Sequence, residues 1–189
     1  MSSISRLVPA TYEDLARLPD HLLGQIVDDE LYATPRPAAD HQLASSVLGT
    51  ELGMLFHLGR GGPGGWWIVD EPELHLGRQV LVPDLAGWRR ERMPVVPREP
   101  FFALAPDWIC EVLSPSTARL DRMKKLRAYA REGVGHAWLI DPGLETLEVY
   151  RRHEEAWLLV LTASGDDVVR AEPFDAIELS LTGLWIRPL

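Results

Sequence analysis

Two carboxylates sit within apolar stretches that read as short strands: Asp84 in Leu-Val-Pro-Asp-Leu-Ala and Glu111 in Trp-Ile-Cys-Glu-Val-Leu. An ionised acid among apolar residues is costly unless something compensates it, so a fold built on these strands must bring compensation to both. A hard divalent cation does this, because Mg²⁺ takes one or two carboxylates and completes its shell with water and substrate phosphates. A cation-rich helix follows the second acid: between Ala118 and Arg131, Arg119, Arg122, Lys124, Lys125, Arg127 and Arg131 stand against Asp121 alone. An anionic ligand is expected there, with a solvated helix face as the alternative. The combination points to metal-dependent chemistry on phosphates.

The rest of the composition bounds this reading. A chain of 189 residues with 46% apolar residues suits one domain with a sizeable core, and residues 1–189 are read as such, with an N-terminal helix and strands over 11–34 and C-terminal strands over 136–189. No run of about 18 apolar residues marks a membrane span. Met1-Ser-Ser-Ile-Ser-Arg lacks an apolar signal core, which favours the cytoplasm. Cys110 stands alone inside a strand, so it reads as a packed thiol rather than a nucleophile. The net charge of −9 counts against a tight, non-specific nucleic-acid binder.

Thr11 and Asp14 have the spacing of a capping box at the start of a short helix. Gln25 to Tyr32 reads as two strands turning at Asp28-Asp29. Pro35 and Pro37 precede a helix from His41 to about Leu58, whose apolar face is expected to carry Leu43, Val47, Leu48, Met54, Leu55 and Leu58. The glycine-rich stretch from Gly59 lacks the lysine and the strand-then-helix setting of a nucleotide-binding loop and reads as a linker. Strands are expected at Trp66–Asp70, Glu73–Leu76, Val80–Trp88, Trp108–Leu113, His136–Ile140, Thr146–Arg151 and Trp157–Thr162. Ser116 or Thr117 is placed to cap the basic helix, and Gly133 and Gly135 end it. Ser114 and Ser116 have no partnered histidine and are turn residues rather than nucleophiles. An α/β (α+β) architecture follows, a mixed sheet flanked by helices.

Strand alternation puts Ile109, Glu111 and Leu113 on one face and Trp108, Cys110 and Val112 on the other. Neighbouring strands would bring Asp84 and Glu111 close, and two such charges raise one pKa strongly unless a cation lies between them. Bound Mg²⁺ or Mn²⁺ polarises a phosphodiester and activates water at neutral pH. Asp121, Lys125 and Tyr129, spaced i, i+4, i+8, form a stripe bordering an apolar face of Met123, Leu126 and Ala130. The spacing allows a long side chain on that stripe to reach past the packed edge, whereas Lys124 projects from another side of the helix.

Pro83-Asp84, then Glu111 followed by a capped basic helix, resembles the PD-(D/E)xK restriction-endonuclease-like superfamily. More narrowly, the chain is similar to the bacterial Uma-two endonucleases, a domain of unknown function. The resemblance runs in order through Thr11-Tyr-Glu-Asp, Val27-Asp-Asp-Glu-Leu-Tyr, Pro37 with His41-Gln42, Val82-Pro-Asp-Leu-Ala and Pro106 to Thr117. It continues through Asp121, Lys125, Tyr129, Gly133-Val134, Trp138-Leu-Ile-Asp-Pro and Leu147-Glu-Val-Tyr. It implies a restriction-endonuclease-like fold and a Mg²⁺- or Mn²⁺-dependent endonuclease acting on nucleic acid, with DNA as the expected substrate. Asp84, Glu111 and the Val112 carbonyl would bind the metal. Lys125 would stabilise charge on the phosphate or help deprotonate water. It replaces the strand lysine of the superfamily pattern, whose slot holds Leu113. Gln25 stands where the family usually has Glu and would orient water without acting as a base. His41 reads either as a cap or phosphate contact or as an exposed helix-start residue; with Arg119, Arg122 and Lys124 it would hold the nucleic-acid backbone. Two alternatives stay open: a catalytically impaired nucleic-acid-binding or interaction module of the same fold, and a small-phosphoester hydrolase. Seven tryptophans, with Trp66, Trp67, Trp88 and Trp185 as interface candidates, suggest a homodimer.

Overall fold

The computed structural model describes residues 9–186; the N-terminal Met1-to-Arg6 segment lies outside the described residues. Helix α1 (Tyr12–Ala16) starts where the Asp14 carboxylate accepts the Thr11 backbone N–H at 2.8 Å. Strands β1 (Leu22–Val27) and β2 (Glu30–Pro35) form an antiparallel hairpin. Its turn residues Asp28 and Asp29 both have positive φ (52° and 64°), the left-handed pair that two-residue hairpins need and that aspartate tolerates. Helix α2 (Ala39–Leu52) follows and runs into a π-helical stretch, Gly53–His57. The strands after it are β3 (Trp66–Asp70), β4 (Leu74–Leu76), β5 (Gln79–Leu81), β6 (Leu85–Arg89) and β7 (Trp108–Val112). Helix α3 (residues 118–131) leads to β8 (His136–Asp141), β9 (Thr146–His153), β10 (Ala156–Ser164) and the short pair β11 (Val168–Val169) and β12 (Leu179–Ser180).

The large sheet has the order β10-β9-β8-β7-β6-β3 and the small one β2-β1-β5-β4. All neighbours in the large sheet are antiparallel except β7 and β8, which are parallel. Parallel neighbours need a crossover, and α3 provides it. Alternation in β7 divides the core. Trp108, Cys110 and Val112 join α2 and the C-terminal segment on one side of the sheet, while Ile109 and Leu113 join α3 and the small sheet on the other. Glu111 therefore faces α3.

Four expectations are corrected. Val80–Trp88 is not one strand: β5 belongs to the small sheet and β6 to the large one, and Val82-Pro83-Asp84 crosses between them. Proline has no N–H for a ladder, so Asp84 lies in the crossing rather than within a strand. Leu43, Met54 and Leu58 are exposed, because α2 buries His41, Ala44, Leu48 and Leu52 instead, with Phe56 beyond them. Met123 is also exposed, because a π-helical turn at Asp121–Lys125 rotates it off the packed face. Trp66, Trp88 and Trp185 are buried core residues and are not free to form an interface. Phe174, in the C-terminal segment, sits with its ring 4.6–5.7 Å from those of Phe56, Trp66, Trp108 and Trp138, which accounts for much of the tryptophan content. Among the described residues, no helix is long and apolar enough to cross a membrane.

Candidate active site

The register of β6 and β7 sets Leu85 opposite Cys110, so the next positions along the antiparallel pair are Asp84 and Glu111. Asp84 is locked in place: its Oδ2 accepts the Val112 N–H at 2.6 Å, and its Oδ1 lies 3.3 Å from His41 Nε2. His41 is 7% exposed, which corrects the reading of an exposed helix-start residue. Burial works against its protonation, but the hydrogen bond and charge of Asp84, with Asp121 and Asp40, raise its pKa above the ordinary histidine value. The His41 Nδ1 is buried with no hydrogen-bond partner among the described residues.

Glu111 is 2% exposed and held from the α3 side. The Lys125 ammonium lies 2.7 Å from both of its oxygens, and the Tyr129 hydroxyl donates to Oε1 at 2.7 Å. Lys125 also donates to the Val82 carbonyl at 3.2 Å and lies 3.4 Å from Asp121 Oδ1. π-Helical turns occur often at functional sites. The one at Asp121–Lys125 sets this acid and this lysine on the cleft wall. Burial pushes the Glu111 carboxyl up to about 8, with Asp121 and Asp84 adding to the rise against the opposing pull of Lys125. Burial likewise raises Asp121. For Lys125, burial opposes the charge, but Glu111, Asp121 and Asp84 outweigh it and its pKa rises. Lys125 is thus a resident cation.

Gln25 lines the same cleft, of about 270 Å³, with Asp84, Glu111, Asp121 and Lys125. Its Oε1 accepts the Val82 N–H at 2.9 Å, a backbone donor that fixes the orientation of the amide. The bond leaves that oxygen a second lone pair, and the amide NH₂ is a donor, so both ends of the side chain stay available to orient water. Val82 is clamped from both sides, by Gln25 on its N–H and Lys125 on its carbonyl.

Among the described residues no group of three or more His, Cys, Asp or Glu side chains is arranged to hold a metal ion. The donor set nevertheless suits Mg²⁺ or Mn²⁺, which need only one or two carboxylates with water and substrate oxygens. Asp84 and Glu111 supply hard oxygens beside one cleft.

The fold thus brings together Asp84, Glu111, Val112, Lys125, Gln25 and His41. It does not bring Arg119, Arg122 and Lys124 to that cleft. Arg122 makes a bidentate pair with Glu148 at 2.7 and 3.0 Å, and Lys124 pairs with Glu30 and the Tyr32 hydroxyl. Arg119 lines a neighbouring cavity. Cleft residues given no role from sequence are Asp121, visible in the helical stripe, and Glu71, which follows β3 with φ 42° and had no local signal. Cys110 is fully buried, and burial raises its thiol pKa well above the ordinary value, as expected of a packed thiol.

Comparison with known proteins gives two findings. A crystal structure described as a putative nuclease belonging to DUF820, from Anabaena variabilis ATCC 29413, superposes with a TM-score of 0.73 at 23% identity, covering 93% of this chain and 97% of that one. At that identity the likeness establishes the fold, which is restriction-endonuclease-like and α+β. No curated protein matches significantly. The family model named Uma2, "Putative restriction endonuclease", matches residues 9–182, and the chain belongs to that family.

Proposed function

We propose that this nuclease-family protein is a Mg²⁺- or Mn²⁺-dependent endonuclease that hydrolyses phosphodiester bonds of DNA. The observation that carries the reading is the placement of Asp84, just before β6, and Glu111 of the neighbouring β7 in one cleft, with Lys125 beside Glu111. Asp84, Glu111 and the Val112 carbonyl would hold the cation, which when bound supplies Lewis acidity toward the phosphate and activation of water. The Val112 N–H fixes the Asp84 carboxylate, and Tyr129 fixes Glu111. Lys125, kept protonated by its acidic neighbours, stabilises negative charge on the phosphate in the transition state; its raised pKa argues against a role as base. The Gln25 NH₂ donates to a phosphate oxygen or to water. The family resemblance alone supports a homodimer, and a cytoplasmic location rests on the N-terminal sequence.

A second reading, a non-catalytic nucleic-acid-binding module, draws on the same geometry: Lys125 and Tyr129 already satisfy Glu111, and no three-ligand cluster is present among the described residues. Incubating plasmid DNA, single-stranded DNA and short nucleotides with Mg²⁺, Mn²⁺ or chelator separates the possibilities. The nuclease reading expects DNA cleavage with metal only, lost in Asp84→Ala and Glu111→Ala. Cleavage by both variants at the wild-type rate would refute it, and hydrolysis confined to short nucleotides would point to a small-phosphoester hydrolase.

A further inference from the structure

Four of the six cations on α3 are consumed within the protein: Arg122 by Glu148, Lys124 by Glu30, Lys125 by Glu111 and Arg131 by Asp28. The remaining two, Arg119 and Arg127, are exposed and pair with none of the described residues. Both line one cavity of about 610 Å³, whose lining also includes Tyr32, Leu120 and Met123. Met123, 54% exposed, lines the cavity with the two guanidiniums. The cavity shares Thr34 and Ser116 with the active-site cleft, so a chain leaving one passes directly into the other.

We infer that this cavity is a subsite for an unpaired nucleotide of a single-stranded nucleic acid, flanking the phosphate held in the active-site cleft. In a chain of net charge −9, two unneutralised guanidiniums beside an anion-processing cleft are complementary to a phosphodiester backbone. The apolar floor between them suits an exposed base face, which a single strand offers and a duplex keeps stacked. Double-stranded DNA would leave the exposed Met123 side chain without a partner. The inference rests on the nuclease reading and specifies its substrate as single-stranded.

Fluorescence anisotropy with labelled single-stranded DNA, single-stranded RNA and duplex DNA, in Ca²⁺ to suppress cleavage, tests this. Wild type is expected to bind single strands more tightly than duplex. Arg119→Ala/Arg127→Ala should weaken single-strand binding about tenfold or more and lower the salt slope by about 1.4, at roughly 0.7 per lost phosphate contact. Arg98→Ala, an exposed arginine outside the cavity, serves as the control and should bind as wild type. The DNA and RNA arms identify which single strand is preferred. Wild-type affinity in the double variant, or duplex bound as tightly as single strand, overturns the inference. If metal-dependent cleavage still requires Asp84 in that case, the nuclease reading stands and only the subsite falls. Absence of binding to all three polymers also overturns it.

Discussion

The Tyr129 hydroxyl donates to Glu111 Oε1 at 2.7 Å, both groups fully withdrawn from solvent, across the contact between α3 and the centre of the large sheet. This bond orients the carboxylate that the proposed cation needs. Tyr129→Phe removes one of the two donors to that oxygen and leaves Lys125 as the other, so stability should fall by about 0.5–1.5 kcal/mol in denaturant unfolding. The cleavage rate should fall with little change in substrate affinity. Unchanged stability together with unchanged cleavage would show that the bond holds nothing in place.

Lys125 is expected to matter more. Lys125→Met removes the cation beside Glu111, and loss of a positioned electrostatic group typically costs about 10²–10³ in rate. Breaking a buried pair by removing one partner costs about 3–5 kcal/mol, but here Glu111 can escape by taking a proton. A carboxyl with a folded pKa above its unfolded value contributes stability below the unfolded pKa and loses it as pH rises through the folded one. Wild-type Glu111 already stands near 8, and the variant raises it further. Lys125→Met should therefore be destabilised more at pH 9 than at pH 6. Equal destabilisation at the two pH values would contradict this.

Gln25→Glu gives the reverse test. One oxygen keeps the Val82 N–H, and the cleft gains a carboxylate oxygen in place of an NH₂ donor. Mn²⁺ affinity should rise severalfold. Weaker binding would mean that the added charge only repels Asp84 and Glu111.

The Arg122–Glu148 pair supplies an acid-stability prediction separate from the site. The Arg122 hydrogen bond holds the Glu148 carboxyl below its ordinary pKa. Its stabilisation is complete above the unfolded value, about 4.5, and is lost as pH falls through the folded one. Because the pair is partly exposed, it contributes at most about 1 kcal/mol. Arg122→Leu should lower stability by that amount at pH 7 and leave it unchanged near pH 2. A constant difference across the range would assign the effect to packing.

Local pattern carried much of the fold. The period-two alternation of β7 separated Glu111 from Cys110, and Asp28-Asp29 marked the hairpin, since both are properties of a few adjacent residues. Asp84 and Glu111 were visible as costly acids among apolar residues. The errors arose where distant chain decides. The break at Pro83 depends on two sheets meeting there, and the outward turn of Met123 depends on a π-helical insertion that spacing rules do not register. The Val82 N–H that orients Gln25 lies 57 residues away, and Phe174 completes an aromatic cluster from the far end of the chain.

Calorimetric titration of Mn²⁺ into wild type, Asp84→Ala and Glu111→Ala addresses the proposed cation site most directly. The account predicts saturable binding in wild type that either substitution abolishes, because the two carboxylates line one cleft where the crossing into β6 meets β7. Binding of equal affinity in all three proteins would contradict it.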